Sequence, residues 1–137
     1  MDVMLRRRRL MGMQEKKELY PIGTDVITKY YGRDSNGFFI GEKNVAINSD
    51  GEWATGDYYG NSTFIPINPK YRYQKSSNRM YRVTFYNAKY EPVSIPTDYN
   101  NLTVMEIGNI PSDARYMRFV SHNTANANWR LTLTRIA

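Results

Sequence analysis

Along most of the chain, apolar and polar residues alternate in short blocks cut by Pro, Asn, Asp and Gly. Tyr81-Arg82-Val83-Thr84-Phe85-Tyr86 and Arg115-Tyr116-Met117-Arg118-Phe119 show the alternation most clearly. A period of two puts every second side chain on one face of a strand, so one face is buried and the other wet. The pattern predicts strands over 26–31, 38–42, 44–48, 53–59, 63–67, 71–74, 80–86, 102–107, 115–121 and 129–135. A repeat of roughly ten residues between strands is the signature of a sandwich of short antiparallel strands.

Within these strands the alternation assigns faces. Tyr81, Val83 and Phe85, Met117 with Phe119, and Trp129 with Leu131 and Leu133 are the expected core. Arg82, Thr84, Arg118, Arg130, Thr132 and Thr134 point the other way, as a polar outer face for solvent or a neighbouring subunit to cover. Two turns carry residues suited to positive φ, Asp34-Ser35-Asn36-Gly37 and Asn48-Ser49-Asp50-Gly51, and each is expected to close a hairpin. Ile-Pro-x-Asp occurs at 95–98 and again at 110–113, as two similar strand beginnings too short to define a repeat.

The opening of the chain departs from this pattern. Met4-Leu5-Arg6-Arg7-Arg8-Arg9-Leu10-Met11 has neither the period nor the composition of the rest. Residues 1–19 hold six Lys or Arg against three Asp or Glu, whereas residues 20–137 hold thirteen against ten, so charge density is concentrated at the start. Gly12 interrupts any helix begun there, and Pro21 with Gly23 marks the passage to the body. The expected organisation is a basic, Met-rich arm over 1–20 and one folded domain over 21–137. An apolar stretch after Arg9 would suggest an export signal, but Leu10-Met11-Gly12-Met13 gives way at once to Gln14-Glu15-Lys16-Lys17-Glu18. No span approaches the ~20 apolar residues that cross a bilayer. Zero Cys excludes disulfides and thiolate metal sites, and 12 Tyr with few Ala and Leu favour strands. The fold class expected is all-β, an antiparallel sandwich of jelly-roll or carbohydrate-binding-module type with an extended basic N-terminal arm.

Catalytic chemistry finds little footing. The acids Asp34, Asp50, Asp57, Asp98 and Asp113 are scattered among turns, and the nearest pair of carboxylates is Glu52 with Asp57, flanking Trp53. His122 beside Ser121 lacks the glycine elbow of a nucleophile, and alone it reads as an edge residue rather than a ligand. Asp34 and Asn36 before Gly37 have the spacing of an oxygen-ligand loop without its later bidentate Glu, and a turn explains them more simply. The chain is therefore read as no enzyme, with no catalytic residue, no metal site and no cofactor.

Binding is the live question. Trp53, Asp57, Tyr58 and Tyr59 lie in a segment rich in Gly, Asp and Asn, a composition suited to a loop that offers aromatic faces to sugars. The other reading has Trp53 plugging one end of the sandwich and the tyrosines serving as ordinary strand residues, in line with the tendency of large aromatics to be buried. Asn61-Ser62-Thr63 and Asn101-Leu102-Thr103 match the glycosylation acceptor pattern, which without export is a chance match. Arg6, Arg7, Arg8 and Arg9 pair naturally with carboxylates, and Leu5, Leu10 and Met11 fill irregular apolar grooves. Together these seven residues read as a peptide anchoring the chain to another protein, not to nucleic acid or a membrane.

Phe64-Ile65-Pro66-Ile67 with Tyr73, then Tyr81 to Asn87, then Ile110-Pro111 with Ala114-Arg115-Tyr116-Met117-Arg118-Phe119, resembles a carbohydrate-binding-module-like sandwich of bacteriophage fibre and baseplate proteins. The likeness spans about residues 53–121. Met4 to Met11 resembles the Arg-rich, Met-rich start of small virion proteins of crAss-like phages. These resemblances imply a virion surface protein, made in the host cytoplasm: a short head fibre or capsid decoration, or alternatively a glycan-binding adhesin module of a tail fibre or baseplate. The implied partners are capsid or tail proteins through the arm, further copies of the chain with a trimer as the candidate form, and host polysaccharide. No sugar-contacting residue is carried over by the resemblance.

Overall fold

The computed structural model describes residues 18–37, 40–76, 80–94, 97–99, 104–122 and 131–137. The anchoring residues Leu5, Arg6, Arg7, Arg8, Arg9, Leu10 and Met11 lie outside the described residues, as do Asn101, Trp129 and Arg130. The described chain is mostly antiparallel sheet. Its elements are α1 (Val26–Tyr31), β1 (Glu42–Ile47), β2 (Trp53–Pro66), β3 (Tyr73–Lys75), β4 (Met80–Tyr86), β5 (Thr97–Tyr99), β6 (Met105–Ile107), β7 (Tyr116–His122) and β8 (Leu133–Arg135). They form a five-stranded sheet of order β1-β2-β7-β4-β5 and a three-stranded sheet of order β6-β3-β8, and every described strand pair is antiparallel.

The core is one cluster fed by both sheets. Tyr59, Ile65, Val83, Phe85, Met117 and Phe119 enter it from the five-stranded sheet, and Tyr73, Ile107 and Leu133 from the three-stranded one. The alternation read from β4, β7 and β8 assigns this inner face as found: Val83, Phe85, Met117, Phe119, Leu131 and Leu133 are all buried. Each such side chain contributes roughly 1.5–3 kcal/mol of apolar transfer free energy, the main term holding two small sheets together in a chain without disulfides.

The segment 26–31, expected to be a strand, is the helix α1. Its β-branched Val26, Ile27 and Thr28 suit a strand in isolation, but Asp25 overrides them as N-cap. The Asp25 carboxylate accepts from the Ile27 backbone N–H at 3.2 Å and from the Thr28 hydroxyl at 2.5 Å. The same carboxylate accepts from the backbone N–H of Leu133 at 3.0 Å and from Arg33 Nη2 at 2.8 Å. The helix is thereby stapled to the edge of β8, with Val26 and Ile27 delivered to the core. Residues 23–25 continue the pairing along β8, Gly23 donating to Arg135 C=O at 2.8 Å and Arg135 donating to Thr24 C=O at 3.0 Å. That covers an edge otherwise open to unwanted pairing.

Other boundaries also shift. The Asp34–Gly37 turn forms, with Gly37 N–H donating to Asp34 C=O at 3.0 Å, but it follows a helix and so closes no hairpin. The Asn48–Gly51 turn does close one, joining β1 to β2, with Gly51 at φ 87. Residues 40–41, expected within a strand, are outside β1, and 53–59 and 63–67 fuse into the single 14-residue β2. Fusion is possible because β2 carries irregularities, Val45 facing both Thr55 and Tyr58 and a register shift lying between Asn61 and Ile65. A bulge adds residues without breaking the strand and increases its twist. Gly56 sits in the first bulge, where a Cβ would meet the Ala46 Cβ at 2.5 Å.

The outer face of the five-stranded sheet is not the wet polar surface the alternation implies. Thr84 is fully buried and Arg118 is 7% exposed. The chain covers this face itself. The tip of the β1–β2 hairpin folds across it, so that Tyr86 donates its hydroxyl to Gly51 C=O at 2.6 Å and Arg82 Nη1 donates to Ile47 C=O at 2.9 Å. A Cβ on Gly51 would meet Pro92 at 2.8 Å and Thr84 at 3.0 Å. Val45, Ile47 and Val120 form a second small cluster there, backed by Trp53 and Tyr58.

The body reaches back to residue 18. Tyr20 is fully buried in the core. Arg135 Nη1 donates to the Tyr20 carbonyl at 2.5 Å and pairs with Glu18 at 3.1 Å, and Leu19 N–H donates to the Tyr71 hydroxyl at 3.0 Å. The Arg135 guanidinium also lies 3.5 Å from the centre of the Tyr71 ring.

Candidate ligand-binding face

Of the outer face, one end stays open. There the hairpin between β4 and the 92–93 segment turns through Asn87–Glu91, with Tyr90 N–H donating to Asn87 C=O at 3.0 Å and Asn87 N–H to Glu91 C=O at 2.9 Å. The Asn87 side-chain oxygen accepts from the backbone N–H of Lys89 at 2.9 Å and of Glu91 at 3.0 Å, which fixes the turn from within. This is the three-residue hairpin loop whose last position adopts a left-handed backbone and is usually Gly. Here that position is Tyr90, at φ 64. The other described non-glycine residues at positive φ are Asn44 and Asn109, a type that tolerates the region. A tyrosine held there costs on the order of 1–2 kcal/mol.

What the backbone loses, the ring partly recovers. Tyr90 stacks on Tyr116 at 4.9 Å between centroids with 22° between planes, and meets Phe64 at 4.7 Å. Phe64 in turn stands edge-on to Tyr86 at 5.0 Å. Beneath them the Arg118 guanidinium lies 4.2 Å from the Phe64 ring centre, 4.6 Å from Tyr86 and 5.3 Å from Trp53. Arg118 is buried with its Nε unpaired, and the aromatic faces together with the Tyr86 hydroxyl offset the buried cation. Hydrogen bonding to Tyr90 is the main reason the Tyr116 phenol sits above its usual pKa. Burial pushes the Tyr86 phenol up as well, against the opposing pull of Arg118.

Despite this packing, Tyr90 remains 52% exposed. The Asn87–Glu91 turn also borders an open depression of about 310 Å³ lined by Asn87, Ala88, Lys89, Glu91, Asp113 and Arg115, to which neither stacked tyrosine contributes. Its charged side chains are two cations and two anions, all exposed.

The structure separates the residues singled out in the Trp53 segment. The bulge at Gly56 and Asp57 puts Trp53 and Tyr58 on the outer face, half-buried against Val45, Ile47 and Val120. Tyr59 faces inward, 5% exposed in the core, and its hydroxyl accepts from Gly41 N–H at 2.5 Å. Asp57 is exposed at the bulge, and Glu52 is exposed at the hairpin tip. No group of His, Asp or Glu positioned to hold a metal occurs among the described residues. Asn61 is 2% exposed within β2, its side-chain oxygen accepting from Thr63 N–H at 3.2 Å, so its amide is closed to glycosylation in the folded chain.

Tyr90, Tyr116 and Phe64 were missed as a group because they come from three separate stretches of sequence. The signal that could have found Tyr90 is its place after Asn87-Ala88-Lys89, where a turn wants Gly. No protein-family model, no curated protein and no solved structure matches the chain.

Proposed function

We propose that this chain is a structural protein of a bacteriophage particle surface, a short head fibre or capsid decoration. Its two sheets form a displayed β-sandwich, and the basic, Met-rich arm anchors it to a capsid or tail protein. In this reading Arg6, Arg7, Arg8 and Arg9 meet acidic side chains of the partner, and Leu5, Leu10 and Met11 fill a groove between them. The observation that carries the reading is the pinned start of the body. An arm that leaves its head from a fixed point sets the head's orientation on the partner, and Glu18 to Tyr20 are fixed by Arg135, Tyr71 and burial of the Tyr20 ring. The sequence of Arg6 to Arg9 precedes that point closely enough to act on it.

The test is co-assembly. Full-length protein and a variant lacking residues 1–13 are each supplied during infection with the phage that encodes the chain, and purified particles are assayed for them. The full chain should be retained on particles. The truncated chain should remain folded, with an unchanged circular dichroism spectrum, and be lost from particles. Equal retention of both refutes the anchoring reading.

A further inference from the structure

We infer that the depression at the root of the arm, between Lys70 and Arg115, docks an acidic segment of the partner protein. One carboxylate is held between the two cations, and an adjoining apolar side chain lies against Leu19, Ile67 and Pro69. The inference deepens the particle-surface reading and rests on it for the partner being a protein.

The depression, about 360 Å³ and open to solvent, is bounded by two turns that the fold locks in place. In the first, Tyr71 N–H donates to Asn68 C=O at 3.0 Å, Lys70 N–H to the Asn68 side-chain oxygen at 2.9 Å, and Asn68 N–H to the Tyr73 hydroxyl at 3.1 Å. In the second, Ala114 N–H donates to Pro111 C=O at 3.0 Å. Ile67 N–H donates to Arg115 C=O at 2.9 Å and ties one turn to the other. Leu19, where the arm meets the body, is fixed beside them by the bond from its N–H to the Tyr71 hydroxyl. The site is pre-organised, so little freedom is lost when a ligand enters it.

Its charge is of one sign. Lys70 and Arg115 are its ionisable residues, and among the described residues neither has a carboxylate partner. A concave surface lined by one sign of charge focuses its field and draws in the opposite charge. Arg115 Nη1 donates to the carbonyls of Ser112 at 3.1 Å and Ala114 at 2.7 Å, which orients the guanidinium. Its Nε and Nη2 form the edge that pairs side by side with the two oxygens of a carboxylate.

The surroundings favour a peptide carboxylate over a nucleic-acid backbone. Asp113 and Glu91 line the neighbouring depression that Arg115 also borders, so a run of phosphates passing Arg115 meets two like charges. A single carboxylate is held on the Lys70 side, and Leu19, Ile67 and Pro69 suit an aliphatic neighbour in the same peptide. The four arginines of the arm already call for acidic side chains on the partner, and the partner surface nearest the arm's root meets this depression next.

The experiment uses the full chain and a short peptide of alternating Glu and Leu, with the Gln-for-Glu peptide and an oligothymidylate as comparisons. Two-dimensional NMR follows the backbone amides of Asn68, Lys70, Ser112 and Arg115, which report this site separately from the arm, and thermal unfolding is recorded in parallel. The Glu peptide should shift these amides saturably with a Kd at or below about 1 mM, and neither comparison should. Lys70→Glu should weaken the binding about tenfold or more at an unchanged unfolding temperature, because the Lys70 ammonium is exposed and holds no described part of the fold. The inference is overturned if the Glu peptide leaves these amides unmoved, if either comparison binds there as tightly, or if Lys70→Glu binds as wild type does. Binding that appears only in Glu15→Gln gives the depression to the chain's own arm, and overturns it equally. Absence of peptide binding beside loss of the truncated chain from particles defeats this inference alone. Peptide binding by a chain that particles retain without residues 1–13 defeats the anchoring reading alone.

Discussion

Asp25 offers the sharpest test of why this sequence folds as it does. Replacing it by Ala removes four hydrogen bonds at once: the cap on Ile27 N–H, the bond from Thr28, the bond from Leu133 N–H on β8, and the pairing with Arg33. Loss of the cap costs about 1 kcal/mol. The Leu133 N–H, in a residue that is fully buried, is left without its acceptor, at about 1–3 kcal/mol. Arg33, with its side chain 17% exposed, keeps the carbonyls of Leu131 and Gly37 but loses its counter-charge, worth at most about 1 kcal/mol. The expected destabilisation of Asp25→Ala is therefore about 3 kcal/mol, read as a lowered midpoint in urea at unchanged slope. Asp25→Asn keeps an equally good cap and an oxygen for Leu133 while losing the charge, and should cost about 1 kcal/mol. If Asp25→Ala falls within about 0.5 kcal/mol of wild type, the helix does not depend on this staple and the account of α1 is wrong.

Alkaline pH should unfold the protein through its tyrosines. Burial is the main cause raising the phenols of Tyr20, Tyr73 and Tyr86, and it pushes Tyr31 up to about 12. Above the unfolded value near 10 the unfolded chain sheds protons that the native state retains, so stability is intact below pH 10 and falls as pH rises through 12. Tyrosinate absorbance should then climb together with loss of circular dichroism, whereas tyrosinate formed without unfolding would contradict the burial. Gly60→Ala should destabilise by about 2 kcal/mol or more in denaturant titration, since its Cβ would lie 2.6 Å from Phe119 C=O and 2.9 Å from Val120 Cα on a paired strand that cannot yield. Tyr86→Phe should cost about 1 kcal/mol, because it frees the Gly51 carbonyl and loosens the hairpin tip from β4; a midpoint equal to wild type would mean the tip is held by packing alone.

The parts of the fold governed by local alternation were legible in the sequence. Over β4 and β7 a period of two assigned Val83, Phe85, Met117 and Phe119 to the core, because strands with one covered inner face impose that period directly. The segment 26–31 was not legible, since its β-branched residues speak for a strand and only the long-range bond from Leu133 N–H to Asp25 reveals the helix staple. The outer face misled for a related reason. Thr84 and Arg118 look like solvent residues until the hairpin tip at Gly51 meets Thr84 and the Trp53, Phe64 and Tyr86 rings close on Arg118, contacts no window of sequence contains. At Trp53, Tyr58 and Tyr59 a bulge at Gly56 and Asp57 breaks the parity on which face assignment rests. The aromatic cluster of Tyr90, Phe64 and Tyr116 combines residues from a turn, β2 and β7, so it exists only after the sheet has formed.

The proposed role, a two-sheet body held outward from a phage particle by its leading arm, can be seen or missed on the particle itself. Imaging of the native particle by electron cryomicroscopy tests it most directly. Two-sheet density should stand outside the shell or tail, with the chain before Glu18 running into a neighbouring protein and Arg6 to Arg9 against its acidic side chains. Purified, infectious particles that lack the chain altogether would contradict it.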